Sequence, residues 1–154
     1  MSDNVSVRSE GHVDGPAGVA LVAATAVHAG FQAVVTLQVY PAFREVPQES
    51  WPHFHTAHSR RIAGIVVVVY GSLVAVSAWV LVAGPRNAGT LAAIGFAALA
   101  MLTTAAVAAP AHGRLSGGRG DRELARLLRA DRVRFVAGVL AAGAAVVGVV
   151  PGVT

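Results

Sequence analysis

The chain has no cysteine and no lysine, and charged residues make up only 13% of its 154 positions. Soluble domains carry about a quarter charged residues. This deficit, together with a hydrophobic content of 55%, is typical of a membrane protein. The lack of cysteine excludes disulfides, thiolate metal sites and thiol nucleophiles. All twelve basic residues are arginines beside apolar runs, which favours a membrane protein over a nucleic-acid-binding one.

Four long apolar runs follow a polar start. Residues 1–16 lack the basic region and cleavage site of a signal peptide, so they are predicted to be a flexible tail. Residues 17–154 are predicted to form one transmembrane domain, because each run can cross a hydrocarbon core of roughly 30 Å at about 1.5 Å per residue. The sequence therefore predicts an all-α, integral membrane four-helix bundle. Its spans are residues 17–40, 62–83, 88–109 and 133–150.

Prolines and capping residues indicate where these helices begin and end. Pro41 is expected to end or kink helix one and Pro110 to stop helix three, because proline lacks a backbone N–H. Ser50 is a suitable N-cap, so helix two is expected to begin near residue 51, outside the hydrocarbon. Asp121 can cap an amphipathic lead-in helix over residues 121–132 that continues into the last span.

The arginines predict the orientation in the membrane. Loops one and three must lie on one side, because the chain crosses twice between them. With the start of the last span they hold ten of the twelve arginines. The positive-inside rule places both loops in the cytoplasm and both termini on the non-cytoplasmic side of the plasma (inner) membrane. In loop three the string GRLSGGRG can either cradle an anion or set topology and contact lipid headgroups.

The stretch WPHFHTAHSRR, residues 51–61, holds three of the six histidines. His55 and His58 are three residues apart and can face one cavity, whereas His53 lies about 160° from His55 on a regular helix. The predicted topology brings His112, at the end of helix three, to the same membrane side. Imidazoles without thiolates suit copper or iron, and also zinc. The alternative is that these histidines anchor helix ends at the lipid headgroups.

Asp131 falls on the apolar stripe of helix four. A carboxylate at such a position should be paired, with Arg134, Arg60 or Arg61, or with a ligand. On helix two, His55 lies on the inward stripe.

Helix one carries a polar face that should point into the bundle. It consists of Thr25, His28, Gln32 and Thr36, and leads towards Tyr40. His28 is expected either to hydrogen-bond Gln32 or Thr25, or to line a substrate pocket. No other span holds a histidine at a similar depth, so no haem is expected.

Short motifs recur around the predicted pocket. They are YP at residues 40–41, VP at 46–47, HxxHSRRI at 55–62, PAHGRL at 110–115, and Arg134 at the start of the last span. In these motifs the chain resembles small bacterial four-span proteins similar to the anthrone-oxygenase-like family. It departs from them where the last helix reads DRVRF instead of an aromatic-rich start. The resemblance implies a four-helix bundle with oxygenase or oxidase chemistry on a small apolar or aromatic substrate, and it assigns no catalytic residue.

These patterns predict a membrane-embedded, metal-dependent oxidoreductase with a histidine site that faces the cytoplasm. The metal ligands would be His55, His58 and His112, with His53 as a further candidate. The catalytic candidates are Tyr40, Asp131 and Arg134, and the substrate-binding candidates are His28, Gln32, Gln38, Arg60 and Arg61.

Two other functions fit the same sequence: a non-enzymatic accessory subunit of a larger membrane complex, and a metal-free protein that binds quinones or lipids. The expected partners are membrane lipids and a small apolar substrate, with no nucleic acid. A homo-oligomer or a larger assembly is compatible with the sequence.

Overall fold

A computed structural model describes residues 15–150 of the chain. Within these residues the fold is helical throughout, with no strand. It contains four long helices, α1 (Pro16–Glu45), α2 (Trp51–Ala83), α3 (Ala88–Leu115) and α4 (Asp121–Val149), and each is long and apolar enough to cross a membrane. The predicted all-α bundle with four spans is thereby confirmed. Most of the predicted flexible tail lies outside the described residues.

The helix starts agree closely with the capping residues. Helix α2 begins at Trp51 with Ser50 in the N-cap position. Helix α4 runs unbroken from Asp121, so the lead-in segment and the last span form one helix. Gly120 is its N-cap, and Asp121 is the first helical residue instead of the cap.

Pro41 and Pro110 lie inside helices, and the expectation that Pro110 stops helix three is wrong. In α1 a π-helical turn, Val35–Val39, precedes Pro41, and the helix continues over Tyr40–Glu45. In α3 the π turn Thr104–Ala108 is followed in the same way by Ala109–Leu115. A π turn widens the backbone, which makes room for a proline ring that would clash with the preceding turn of a regular α-helix. Both helices therefore continue past the end of their apolar runs and include the polar residues that follow.

The helices pack around the bundle in the order α2, α1, α4, α3. Helix α4 packs closely on α3, and a Cβ added to Gly89 would lie 2.6 Å from the backbone of Gly148. Helix α2, in contrast, packs mainly on α1 and touches α3 only slightly. The bundle is thus tight around α4 and loose between α2 and α3.

The outward faces of the helices are strongly apolar. Leu37 is 64% exposed, Val67 71% and Val82 76%. An apolar surface of this kind is unfavourable in water and suits contact with acyl chains. The fold is accordingly that of a multi-pass membrane protein.

The loop between α1 and α2 packs against the loop between α3 and α4. Arg119 donates hydrogen bonds to the backbone oxygens of Arg44 and Val46, and Gln48 donates to the backbone oxygen of Arg119 at 3.3 Å. We call this side of the bundle the arginine-rich end. The arginine-rich end contains the ends of α1 and α3 and the starts of α2 and α4. Most of the predicted site residues lie on these four helix ends.

Candidate functional site

Asp131 and Arg134 form a buried ion pair on α4. They are three residues apart, so both side chains lie on the inward face of the helix. Arg134 Nη2 donates to Asp131 Oδ1 at 2.8 Å, and the two side chains are only 7% and 2% exposed. Of the partners predicted for Asp131, Arg134 is the one observed. Breaking this pair would leave two buried charges without partners, which is costly. The pairing therefore holds the guanidinium in a defined position.

Tyr40 connects this ion pair to helix α3. Its hydroxyl accepts a hydrogen bond from Arg134 Nη2 at 3.1 Å and lies 3.3 Å from His112 Nε2. A phenolic hydroxyl can accept from the guanidinium and donate to the imidazole at the same time. The π turn before Tyr40 and the edge-on packing of Phe43 against its ring set the position of this side chain.

His112 in turn contacts His55. The distance between His112 Nδ1 and His55 Nε2 is 3.2 Å. His112 lies on the part of α3 that continues beyond Pro110, and His55 lies on the first turns of α2. The structure therefore brings these two histidines together, as the predicted topology requires.

We refer to Asp131, Arg134, Tyr40, His112 and His55 as the polar chain. It is a continuous series of hydrogen bonds that joins α4, α1, α3 and α2 in turn. Each helix contributes at least one member, so the geometry of the chain depends on the whole bundle.

Aromatic rings enclose the histidine end of the polar chain. Phe43 is fully buried, and its ring centroid lies 4.9 Å from that of His58 and 5.5 Å from that of Trp51. Trp51 stacks at a tilt on His55 and donates from Nε1 to the backbone oxygen of Leu115 at 2.8 Å. This hydrogen bond ties the start of α2 to the end of α3.

A cavity of about 270 Å³ lies beside the polar chain, and we call it the lateral cavity. Tyr40, His58, His112 and Arg134 lie on its wall, and most of the wall surface is apolar. Ala63 on α2 and Ala109 on α3 also line it, and both are exposed at the surface of the bundle. The mouth therefore opens sideways between α2 and α3, where the two helices touch least. Small-molecule sites usually measure roughly 300–1,000 Å³, so this cavity suits a compound of one or two rings.

Tyr70 lines the cavity and is overlooked by the sequence analysis. Its hydroxyl lies 3.0 Å from Thr104 Oγ1, and its ring packs edge-on against His28. Tyr70 follows Ile62 and Val66 at intervals of four residues, which place all three on one helical face. The helical phase of α2 was thus a signal that could have identified it.

The polar face of α1 points inward as predicted, but its hydrogen bonds differ from those expected. Thr25 Oγ1 donates to the backbone oxygen of Leu21 at 2.7 Å, and no hydrogen bond joins His28 to Gln32 or Thr25. The predicted pairing of His28 is therefore wrong. Gln32 lines the lateral cavity, whereas His28 lies next to it in contact with Tyr70.

Four predicted site residues lie on outward faces. His53 is exposed on α2, whereas His55 is buried, in agreement with the helical phase. Gln38, Arg60 and Arg61 are exposed and do not belong to the wall of the lateral cavity. The cause is again phase, since each side chain points away from the face of its helix that meets the bundle.

The histidine cluster fits a metal ion only in part. The 3.2 Å between His55 Nε2 and His112 Nδ1 is close to the separation of two tetrahedral ligands, about 3.3 Å for bonds of 2.0–2.1 Å. The His58 ring, however, stacks parallel to that of His112 with centroids 6.2 Å apart. Among residues 15–150, no group of three or more histidine or acidic side chains is placed to hold a metal ion. Metal binding at these histidines therefore stays a prediction.

The fold and the site define a multi-pass membrane protein of four helices, with a polar chain beside a laterally open cavity. Comparison of the chain with protein-family models, with curated proteins and with solved structures finds no match. The function is therefore inferred from the side chains and their arrangement.

Proposed function

We propose that this protein is a membrane-embedded oxidoreductase that acts on a small, largely apolar ring compound bearing an oxygen atom. The observation that carries the proposal is the position of the polar chain, which places Tyr40, His112 and Arg134 on the wall of a cavity whose surface is mostly apolar. The sideways mouth supports entry of the compound from the bilayer.

The cavity suits a ring compound because its wall is divided by polarity. Aliphatic side chains such as Val35, Ile62 and Val66 can contact the ring, while its oxygen lies near Arg134 and Tyr40. The Arg134 guanidinium favours an oxygen that carries negative charge, and the Tyr40 oxygen, whose hydrogen is donated to His112, can accept the proton that the substrate oxygen loses. The anion of a phenol or enol is the form that gives up electrons most readily, and dioxygen dissolved in the bilayer would be the oxidant that accepts them. The role of the polar chain would be to produce and hold that form.

The two histidines offer a route for the proton that the substrate loses. Tyr40 can pass a proton to His112 Nε2, and His112 Nδ1 faces His55 at 3.2 Å. A neutral imidazole accepts a proton at one nitrogen and releases one from the other, so it can act as a relay. Arg134 is held by Asp131 and keeps its charge beside the substrate oxygen.

We also propose the orientation predicted by the arginines. The arginine-rich end would lie in the cytoplasm, with both termini on the other side of the plasma membrane. In that orientation the relay would lead from the cavity towards the cytoplasmic surface.

A binding experiment with matched compounds tests the proposal. Full-length protein in lipid nanodiscs should bind 2-naphthol about tenfold more tightly than naphthalene, since only the hydroxyl can form hydrogen bonds with Arg134 and Tyr40. Tyr40→Phe should reduce this preference to about twofold, with little change in the affinity for naphthalene. Quenching of tryptophan fluorescence during titration measures both affinities.

Tyr70→Phe serves as the control for Tyr40→Phe, because it removes a hydroxyl that is bonded to Thr104 on another part of the wall. It should keep the preference for 2-naphthol. In air, dioxygen should convert 2-naphthol to 1,2-naphthoquinone, with one oxygen atom entering the ring and the other leaving as water. Mass spectrometry should detect this product, formed on the order of a hundredfold more slowly by Tyr40→Phe. Equal affinity of the wild type for both compounds contradicts the proposal, and co-purification with a larger assembly would then favour an accessory subunit.

A metal-dependent form of the same chemistry is the second candidate. It is favoured by the separation of His55 Nε2 and His112 Nδ1, which suits two ligands of one ion. A bound metal would supply a Lewis acid or a redox centre beside the cavity. Elemental analysis should then find nearly one copper, iron or zinc ion per chain, lost in His112→Ala and retained in His53→Ala. Metal-free wild-type protein that still oxidises 2-naphthol rejects this candidate.

A further inference from the structure

Gln32 lies beside the lateral cavity and carries a buried amide without a partner among the described residues. Its side chain is fully buried, and it lies on the cavity wall. Neither Oε1 nor Nε2 has a hydrogen-bond partner among residues 15–150. A buried amide normally finds partners, because it otherwise loses its bonds to water without replacement. Its position on a cavity wall therefore points to a ligand group as the partner.

Gln32 lies deeper in the bundle than Tyr40. It precedes Tyr40 by eight residues on α1, which places its backbone at most about 12 Å further along the helix, because the π turn Val35–Val39 rises less per residue than an α-helix. The nearby hydroxyl of Tyr70 is already engaged by Thr104 at 3.0 Å. The lateral cavity thus has hydrogen-bonding groups at the polar chain and, deeper along α1, at Gln32, and the apolar Val35 lies on its wall between Gln32 and Tyr40 in the sequence.

His28 adds a second unpartnered group on the same face of α1. It is fully buried, and neither ring nitrogen has a partner in the described part of the chain. A Cβ added at Gly138 would lie 3.3 Å from His28 Nδ1, so the absence of a side chain on α4 makes room for the imidazole. Two adjacent turns of α1 therefore each carry a buried polar side chain without a partner in the described part of the chain.

We propose that Gln32, with His28 one turn deeper, forms a second binding subsite for a ligand that carries oxygen atoms at both ends of its ring system. One oxygen contacts Arg134 and Tyr40, and the other contacts the Gln32 amide. This inference rests on the proposed function, in which the polar chain holds the first oxygen. Because an amide both donates and accepts, the inner oxygen can belong to a hydroxyl or a carbonyl group.

The test compares 2,6-dihydroxynaphthalene with 2-naphthol, which have the same rings and differ by a hydroxyl at the far end. The wild type in nanodiscs should bind the diol about tenfold more tightly, because the second hydroxyl satisfies the Gln32 amide. Gln32→Leu should reduce this ratio to about twofold, because the variant has no amide for the second hydroxyl to bond. Gln38→Leu is the matched control, since Gln38 lies on the same helix and is exposed; it should keep the full ratio.

The outcomes separate this inference from the proposed function. A wild-type ratio near one, or an unchanged ratio in Gln32→Leu, overturns the second subsite. The proposed function then stands if 2-naphthol is still preferred to naphthalene. Failure of the wild type to bind either naphthol overturns both. Should Gln32→Leu not fold, the wild-type ratio decides the question.

Discussion

Arg134→Leu is expected to lower the free energy of unfolding by about 3–5 kcal/mol, because it leaves Asp131 as a buried charge without its partner. The substitution also removes the donor to Tyr40, so the polar chain loses its link between α4 and α1. Equilibrium unfolding in mixed detergent micelles, followed by circular dichroism, measures the change.

A double substitution distinguishes the contribution of the ion pair to stability from the contribution of the volume that the two side chains fill. Asp131→Leu combined with Arg134→Leu should recover stability to within about 1 kcal/mol of wild type, since apolar pairs commonly replace buried ion pairs without loss. Arg129→Leu is the control for the loss of an arginine on α4; Arg129 is exposed, so the expected change is below about 0.5 kcal/mol. Equal destabilisation by the single and double variants would show that the pairing contributes little.

Ala63→Trp is expected to weaken binding of 2-naphthol on the order of a hundredfold, equivalent to about 2.7 kcal/mol. Ala63 lines the lateral cavity and is exposed, so an indole at this position would fill the mouth between α2 and α3. The stability of the protein should change little, because a large apolar side chain is tolerated where a helix faces lipid. Fluorescence titration in nanodiscs measures the affinity, and detergent unfolding checks the fold.

Ala75→Trp is the matched control for Ala63→Trp, the variant in which an indole fills the mouth of the lateral cavity. Ala75 is also an exposed alanine of α2, but it does not belong to the cavity wall. The variant should bind 2-naphthol as the wild type does. If Ala63→Trp binds 2-naphthol normally and is correctly folded, the compound does not use the lateral cavity.

Much of the fold could be predicted because it follows from local properties of the sequence. The length of each apolar run is enough to identify the spans, since a bilayer imposes a minimum helix length. Helical phase correctly placed His55 and Asp131 inside and His53 outside, because 3.6 residues per turn determine which side chains share a face. The same reasoning correctly turned Gln32 towards the interior.

The environments of Pro41 and Pro110 could not be predicted in this way. Proline was expected to end or kink helix one and to stop helix three, because an ordinary α-helix cannot accommodate its ring. The π turns that precede both prolines provide the room, and they depend on a backbone adjustment that has no simple residue signature. As a result, Tyr40 and His112 lie on continuous helices, which hold them more rigidly than loops would.

The sequence by itself determined that four apolar helices cross a membrane, which side chains turn inward, and that Asp131 needs a partner. Only the tertiary structure decided that Tyr40 bridges Arg134 and His112, which are 94 and 72 residues away from it. It alone also decided that the cavity opens between α2 and α3. The physical reason is that periodicity specifies the direction of a side chain on its own helix. Which partner a side chain meets depends on the order in which the helices pack and on how closely they approach. Here small residues allow α4 to approach α3 closely.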